Sequence, residues 1–209
     1  MKAISRAIFI KTALLPKDYP ILKNASGRIL PEIAVAGRSN VGKSSVLNNL
    51  FQVKHLVKTS STPGKTQAIN FFTFQQQAFV DLPGYGYASV PPAIRKAWGP
   101  MVRTYLQERS SLKLILFLLD IRRIPNEEDR QFVEWVVHHQ KAMILVLTKV
   151  DKVNQKERQL NTEAILQALP AENLQYVYYS IPKNLGRKDL LRMIQEAMAE
   201  ELSSENNVK

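Results

Sequence analysis

The sequence predicts an α/β fold: a mostly parallel, six-stranded sheet with helices on both faces. Three observations carry that expectation. Short apolar runs alternate with stretches of helical periodicity. One of these runs feeds a glycine-bearing phosphate-loop pattern that opens a helix. Polar motifs then follow four of the strands, at the carboxyl ends where such sheets place ligands.

In chain order, residues 1–30 are basic and broken by Pro16, Pro20 and Gly27. They read as an N-terminal extension, a leading strand or extended segment. A single domain is expected over 31–202, and a flexible tail over 203–209. Ile33–Ala36 suits a buried strand and Ser45–Phe51 a helix start. Gln52–Asn70 is a long polar connection, and long loops in compact domains are usually functional or mobile. Phe71–Phe74 and Ala78–Asp81 suit two strands joined by a Gln-rich turn. Leu82–Pro92 is a second Gly/Pro-rich loop. Ala93–Ser110 reads as a helix that Gly99-Pro100 kinks. Leu112–Leu119 and Ala142–Leu147 suit buried strands, and Leu174–Tyr179 a further one. Helices are expected over Asn126–Gln140, Asn154–Leu169 and Arg187–Leu202.

Composition sets limits. The chain has 209 residues, 45% hydrophobic and 22% charged, an ordinary globular balance. It has no cysteine, which excludes disulfides and thiolate metal sites. The run Ala7–Ile10 is stopped by Lys11 and is no secretory signal. The longest apolar run, Leu114–Leu119, is too short to cross a bilayer. A soluble, cytoplasmic protein is expected, and nothing demands more than a monomer. The net charge is +11 and unevenly placed: residues 1–109 hold 15 Lys/Arg against 4 acids, whereas residues 110–209 hold 14 of each. That excess suggests a large anionic partner, RNA first.

The central motif is Gly37-Arg38-Ser39-Asn40-Val41-Gly42-Lys43-Ser44, which reads G-x-x-x-x-G-K-S. Here the chain must turn around a phosphate, offer it several N–H groups, and aim a helix N-terminus at the same anion. Lys43 supplies a mobile positive charge and Ser44 a hydroxyl for Mg²⁺. Asp81-Leu82-Pro83-Gly84 ends a strand with an acid that can hold Mg²⁺ through water. Its Gly84 N–H can meet a γ-phosphate. In Thr148-Lys149-Val150-Asp151, the Asp151 carboxylate can accept from both N1–H and the N2 amino group of guanine. Adenine would leave it unpaired, and the Lys149 stem can lie over the base. A loop threonine can complete the Mg²⁺ shell, and Thr59, Thr62 and Thr66 all qualify on chemistry alone. His55, His138 and His139 show no metal-binding spacing.

Together, G-R-S-N-V-G-K-S, T-P-G-K-T-Q, D-L-P-G-Y-G-Y-A and T-K-x-D resemble the EngB (YihA/YsxC) family of bacterial GTP-binding proteins, from about Phe9 to Leu202. The resemblance implies a Ras-like G domain that binds GTP or GDP with Mg²⁺ and hydrolyses GTP slowly. It also implies a part in large ribosomal subunit assembly, with the subunit or its precursor RNA as partner, and in normal division and septation. It makes Thr66 the switch threonine and second Mg²⁺ ligand, within a nucleotide-contacting stretch of Gly64, Lys65, Thr66, Gln67 and Ala68. Lys43, Thr66 and Gly84 become the catalytic group. A fifth motif falls at Tyr179-Ser180-Ile181, with Ile181 where relatives usually carry a small residue. Tyr85 stands where many GTPases carry a water-orienting glutamine. Asn40 matches an asparagine with which some related GTPases hold K⁺, so K⁺ is a further candidate cofactor.

Overall fold

In the computed structural model the described residues are 6–57, 68–85 and 101–207. The chain divides into two compact units, Met1–Lys113 and Leu114–Lys209.

The first unit holds β1 (Ile8–Ala13), β2 (Glu32–Gly37), α1 (Lys43–Phe51), β3 (Ile69–Phe74), β4 (Gln77–Asp81) and a helix, α2, described over 101–108. Its strands lie in the order β1-β3-β4-β2. β4 runs parallel to β2, and β3 is antiparallel to both β4 and β1. β3 and β4 join through the expected Gln-rich turn, with Gln75 at φ 54°. All six residues of β2 are buried, which is why its Ile33–Ala36 core reads as a continuous apolar run. The register pairs Val35 with Asp81. The acid of D-x-x-G is thereby set two residues short of Gly37, where the phosphate loop begins. Phe51, on α1, packs its ring 5.2 Å from both Phe74 and Phe79 and so fixes the helix on the sheet.

The other end of β2 is held by a buried polar cluster. Glu32 is 1% exposed. It accepts a hydrogen bond from the Tyr105 hydroxyl at 2.8 Å and two from Arg109 Nε at 2.9 and 3.0 Å. Arg109 also donates to the Pro20 carbonyl. Its guanidinium lies 5.9 Å from the Tyr19 ring centroid and 5.8 Å from that of Phe71. The N-terminal extension and α2 are thus tied to the strand that carries the phosphate loop.

The second unit takes over within β5 (Leu112–Asp120) and continues with α3 (Glu127–His138), β6 (Ala142–Thr148), α4 (Gln155–Ala168), β7 (Tyr176–Tyr179) and α5 (Arg187–Asn207). β5, β6 and β7 are adjacent and parallel. α3 and α4 both open with a capping box, Asn126 with Asp129 and Asn154 with Glu157. Each box satisfies two N–H groups that a helix start otherwise leaves orphaned.

Three expectations change. Among the described residues the strands number seven, not six, because the leading segment becomes β1 and pairs with β3, with a bulge between Phe9 and Lys11. The last helix carries to Asn207, past the expected boundary at Leu202 and into the expected flexible tail. Ser203–Asn207 contain no Gly or Pro to stop it. β7 starts at Tyr176 and not Leu174. The expected Gly99-Pro100 kink lies outside the described residues. Among the described residues, no helix is long and apolar enough to cross a membrane.

Candidate functional site

The phosphate loop leaves β2 at Gly37 (φ 143°) and turns through Asn40 (φ 62°) and Gly42 (φ 109°) before α1 begins. A side chain at position 42 would be strained there, which accounts for the second glycine of the motif. Gly42 occupies the N-cap position and makes no side-chain cap. The first N–H groups of α1 therefore receive no capping side chain at this end, as an anion-binding helix start requires. Val41 is buried and Asn40 exposed.

Lys43 is 9% exposed. Its ammonium donates to the Gly37 carbonyl at 3.1 Å and the Arg38 carbonyl at 3.4 Å, so the charge is held within the loop rather than free to wander. Burial lowers its pKa, with Asp81 acting in the opposite direction. Ser44 donates its hydroxyl to Asp81 Oδ2 at 3.4 Å. Asp81 is 3% exposed, and its Oδ1 is buried with no hydrogen-bond partner. Burial pushes its pKa up to about 6, against the lowering effects of Lys43 and Ser44. A buried carboxylate oxygen without a partner, beside a serine hydroxyl, is a donor set that suits a hard cation such as Mg²⁺.

The D-x-x-G turn lies on the phosphate loop. Ser39 donates its N–H to the Tyr85 carbonyl at 2.9 Å and its hydroxyl to the Gly84 carbonyl at 3.0 Å. Arg38 and Tyr85 form a parallel bridge. A Cβ on Gly84 would stand 2.7 Å from both Lys43 Nζ and Ser39 Oγ, and 2.9 Å from Ser39 Cα, so only glycine fits this approach. Leu82 donates its N–H to the Val35 carbonyl, and its side chain is buried. Pro83 and Gly84 complete the turn.

Ala68 is buried at the start of the described segment that leads into β3. Gly64, Lys65, Thr66 and Gln67 lie outside the described residues, as do the alternatives Thr59 and Thr62.

In the second unit, T-K-x-D leaves the end of β6. Thr148 is 3% exposed and donates its hydroxyl to the Leu119 carbonyl at 3.1 Å. Lys149 adopts φ 60°, and a short 3₁₀ turn follows over Val150–Lys152, with Val150 buried. The Asp151 carboxylate accepts the Ser180 hydroxyl at 2.7 Å. That bond is the main cause of its lowered pKa. Tyr179 and Ser180 are each 1% exposed, while Ile181 is 38% exposed. Ser180 and Leu185 exchange backbone hydrogen bonds at 3.1 and 2.9 Å, closing a small turn. Gly186 follows at φ 85°, where a Cβ would lie 1.9 Å from the Tyr178 carbonyl oxygen. Ser180 thus orients the Asp151 carboxylate, and Ile181 beside it stays exposed.

Asp120 lies outside the sequence motifs. It is 6% exposed and takes 2.9 and 2.7 Å hydrogen bonds from Arg122 Nε and Nη2, a third from the Arg122 N–H at 3.1 Å, and a 3.1 Å contact from Lys149 Nζ. Its signal was there to read: an acid closing a buried strand, the same pattern as Asp81.

The family model described as "50S ribosome-binding GTPase" matches residues 32–149. A probable GTP-binding protein EngB of Protochlamydia amoebophila is 69% identical over 202 residues, covering 96% of this chain and 98% of that protein. Its counterpart in Trichlorobacter lovleyi is 47% identical over 202 residues, covering 95% and 98%. The chain belongs to the EngB family of GTP-binding proteins. A crystal structure of a probable GTP-binding protein engB superposes with a TM-score of 0.66 at 21% identity, covering 81% of this chain and 99% of that one. That likeness concerns the fold, the α/β, Ras-like G domain with a mostly parallel sheet that the sequence predicts. EngB membership makes GTP the nucleotide and hydrolysis the activity.

Proposed function

We propose that this chain is a Mg²⁺-dependent GTP switch acting on the large ribosomal subunit or its precursor. The observation that carries the switch reading is Asp81, buried with Oδ1 unpartnered, hydrogen-bonded to Ser44, at the head of a turn that lies on the phosphate loop. In this reading Gly37–Ser44 hold the phosphates, and Ser44 and Thr66 ligate Mg²⁺. When bound, Mg²⁺ neutralises charge on the phosphate oxygens. Asp81–Gly84 sense the γ-phosphate: Gly84 turns its N–H toward it and Lys43 holds the outer phosphates. Thr148–Asp151 with Tyr179–Ile181 read guanine. Thr66 is the switch threonine, within a nucleotide-contacting stretch, Gly64–Ala68.

Hydrolysis is slow in this reading, because Tyr85 offers no amide to orient water, and a partner or K⁺ held by Asn40 raises the rate. Equal turnover in KCl and NaCl, with and without ribosomal particles, removes K⁺ from the scheme.

The ribosomal part rests on the description of the matching family model and on the basic excess of residues 1–109. The setting is cytoplasmic, and the protein is needed for normal division and septation. The test is co-sedimentation with large subunits in GDP and in a non-hydrolysable GTP analogue, over a salt series. State-dependent binding that falls steeply with salt is expected. Binding that ignores both nucleotide and salt refutes the ribosomal reading. Tighter binding of ATP than of GTP refutes the site.

A further inference from the structure

We propose that Asp120 is a positioning residue for base recognition, holding the Lys149 ammonium so that the lysine stem stays over the purine. The inference rests on the guanine-reading role given to Thr148–Asp151. All its parts belong to the second unit. Asp120 ends β5 and pairs in register with Thr148, the last residue of β6. Two further bonds join the strand ends: the Thr148 hydroxyl to the Leu119 carbonyl, and the Ile121 N–H to the Thr148 carbonyl at 3.1 Å. The root of the base-reading turn is therefore fixed on the end of β5 by backbone and hydroxyl alone.

The Asp120 carboxylate is an addition to that frame. Arg122 orients it through three hydrogen bonds, one from its own N–H and two from its guanidinium. A carboxylate held at so many points cannot follow a moving lysine, so the lysine must come to it. Lys149 Nζ does so at 3.1 Å, on the same oxygen, Oδ2, that Arg122 Nη2 reaches. A lysine carries several rotatable bonds, and an anchored ammonium leaves its stem few courses to take. The anchor also gives Arg122 its place. It is 44% exposed, yet its head is committed to Asp120.

Asp120 and Asp151 thus act on different features of the base. Asp151 reads the N1 and N2 donors. Asp120, through Lys149, acts on the ring face, which guanine and hypoxanthine share. Hypoxanthine keeps the N1 donor and lacks the N2 amino group. The GDP-to-IDP affinity ratio therefore reports Asp151 alone, whereas the two affinities together report the stem.

The experiment is calorimetric titration of GDP and IDP into the full-length protein and its Asp120→Asn, Lys149→Met, double and Asp151→Asn variants. Loss of one charge-assisted anchor gives about a tenfold loss for Asp120→Asn. That loss is expected equally for GDP and IDP, with the ratio preserved. In the Lys149→Met background Asp120→Asn costs nothing further, because coupled residues are non-additive. An unchanged GDP affinity, an equal loss in both backgrounds, or a collapsed GDP-to-IDP ratio overturns the proposal. The last result would mean that Asp120 merely supports the whole turn. Should Asp120→Asn fail to fold, Arg122→Met carries the same test: a parallel loss for both nucleotides that vanishes in Lys149→Met supports the proposal, and a loss that persists overturns it. Asp151→Asn separates the two levels. If it leaves GDP affinity intact, the base-reading assignment itself falls. If it lowers GDP affinity while Asp120→Asn does not, only the positioning role falls.

Discussion

Replacing Arg109 by methionine tests how the strand that bears the phosphate loop is held. In the native cluster Glu32 is 1% exposed and has two side-chain partners, Tyr105 and Arg109. Arg109→Met leaves a buried carboxylate facing one hydroxyl. Breaking a buried ion pair from one side costs about 3–5 kcal/mol, because the remaining charge keeps its desolvation penalty. The lost cation–π contacts to Tyr19 and Phe71 add roughly 0.5–1 kcal/mol each, partly replaced by methionine packing. A total near 4 kcal/mol is expected. With a urea m-value of about 2 kcal/mol/M, the unfolding midpoint falls by about 2 M. The diagnostic is the second substitution: Glu32→Gln on the Arg109→Met background removes the stranded charge and recovers a large part of the loss. A midpoint shift below about 0.5 M for Arg109→Met, or no recovery in the double variant, refutes the reasoning. GDP affinity of the folded protein stays unchanged, since Glu32 and Gly37 close opposite ends of β2.

Further outcomes follow from residues in each unit. Gly84→Ala places a methyl against Lys43 and Ser39 and lifts the turn from the phosphate loop; GTP turnover falls by about tenfold or more while GDP affinity moves less, read by phosphate release and calorimetry. Gly186→Ala combines a left-handed backbone with a contact of 1.9 Å to the Tyr178 oxygen; it lowers stability by about 2–4 kcal/mol by thermal or urea unfolding. For Asp81, pushed up to about 6 by burial, the ionised form that would suit a cation becomes the major one only above that pH. The Mg²⁺-dependent part of nucleotide affinity is therefore expected to rise with pH across that region and to be weakened in Asp81→Asn, read by calorimetry with and without Mg²⁺. The stability sign is opposite: between its ordinary value of 3.8 and about 6 the native carboxyl keeps a proton the unfolded chain has released, so this group's contribution declines as pH rises across that window.

How far the sequence could be read follows from how far apart the partners lie. The phosphate loop, D-x-x-G and T-K-x-D are contiguous, and each states its chemistry within a few residues. The strands before them have continuous apolar, buried centres, and they are legible for that reason. Glu32 meets Arg109 across 77 positions, and Ser180 meets Asp151 across 29; no local pattern announces either pair. β1 escaped a firm reading because a bulge breaks its alternation and its residues Ile8–Thr12 are exposed. The extended α5 was missed because a polar run without a stop signal reads equally as tail or as exposed helix.

Lys43 was expected to be a mobile charge, and the structure gives it fixed anchors at the Gly37 and Arg38 carbonyls. Immobilising a lysine head and its four-carbon stem costs on the order of 1.5–2 kcal/mol of rotamer entropy. Here that loss is incurred when the chain folds and not when an anion arrives. The phosphate loop is in this respect a preorganised receptor: an arriving phosphate has only to replace two carbonyl contacts around an ammonium that already stands in place.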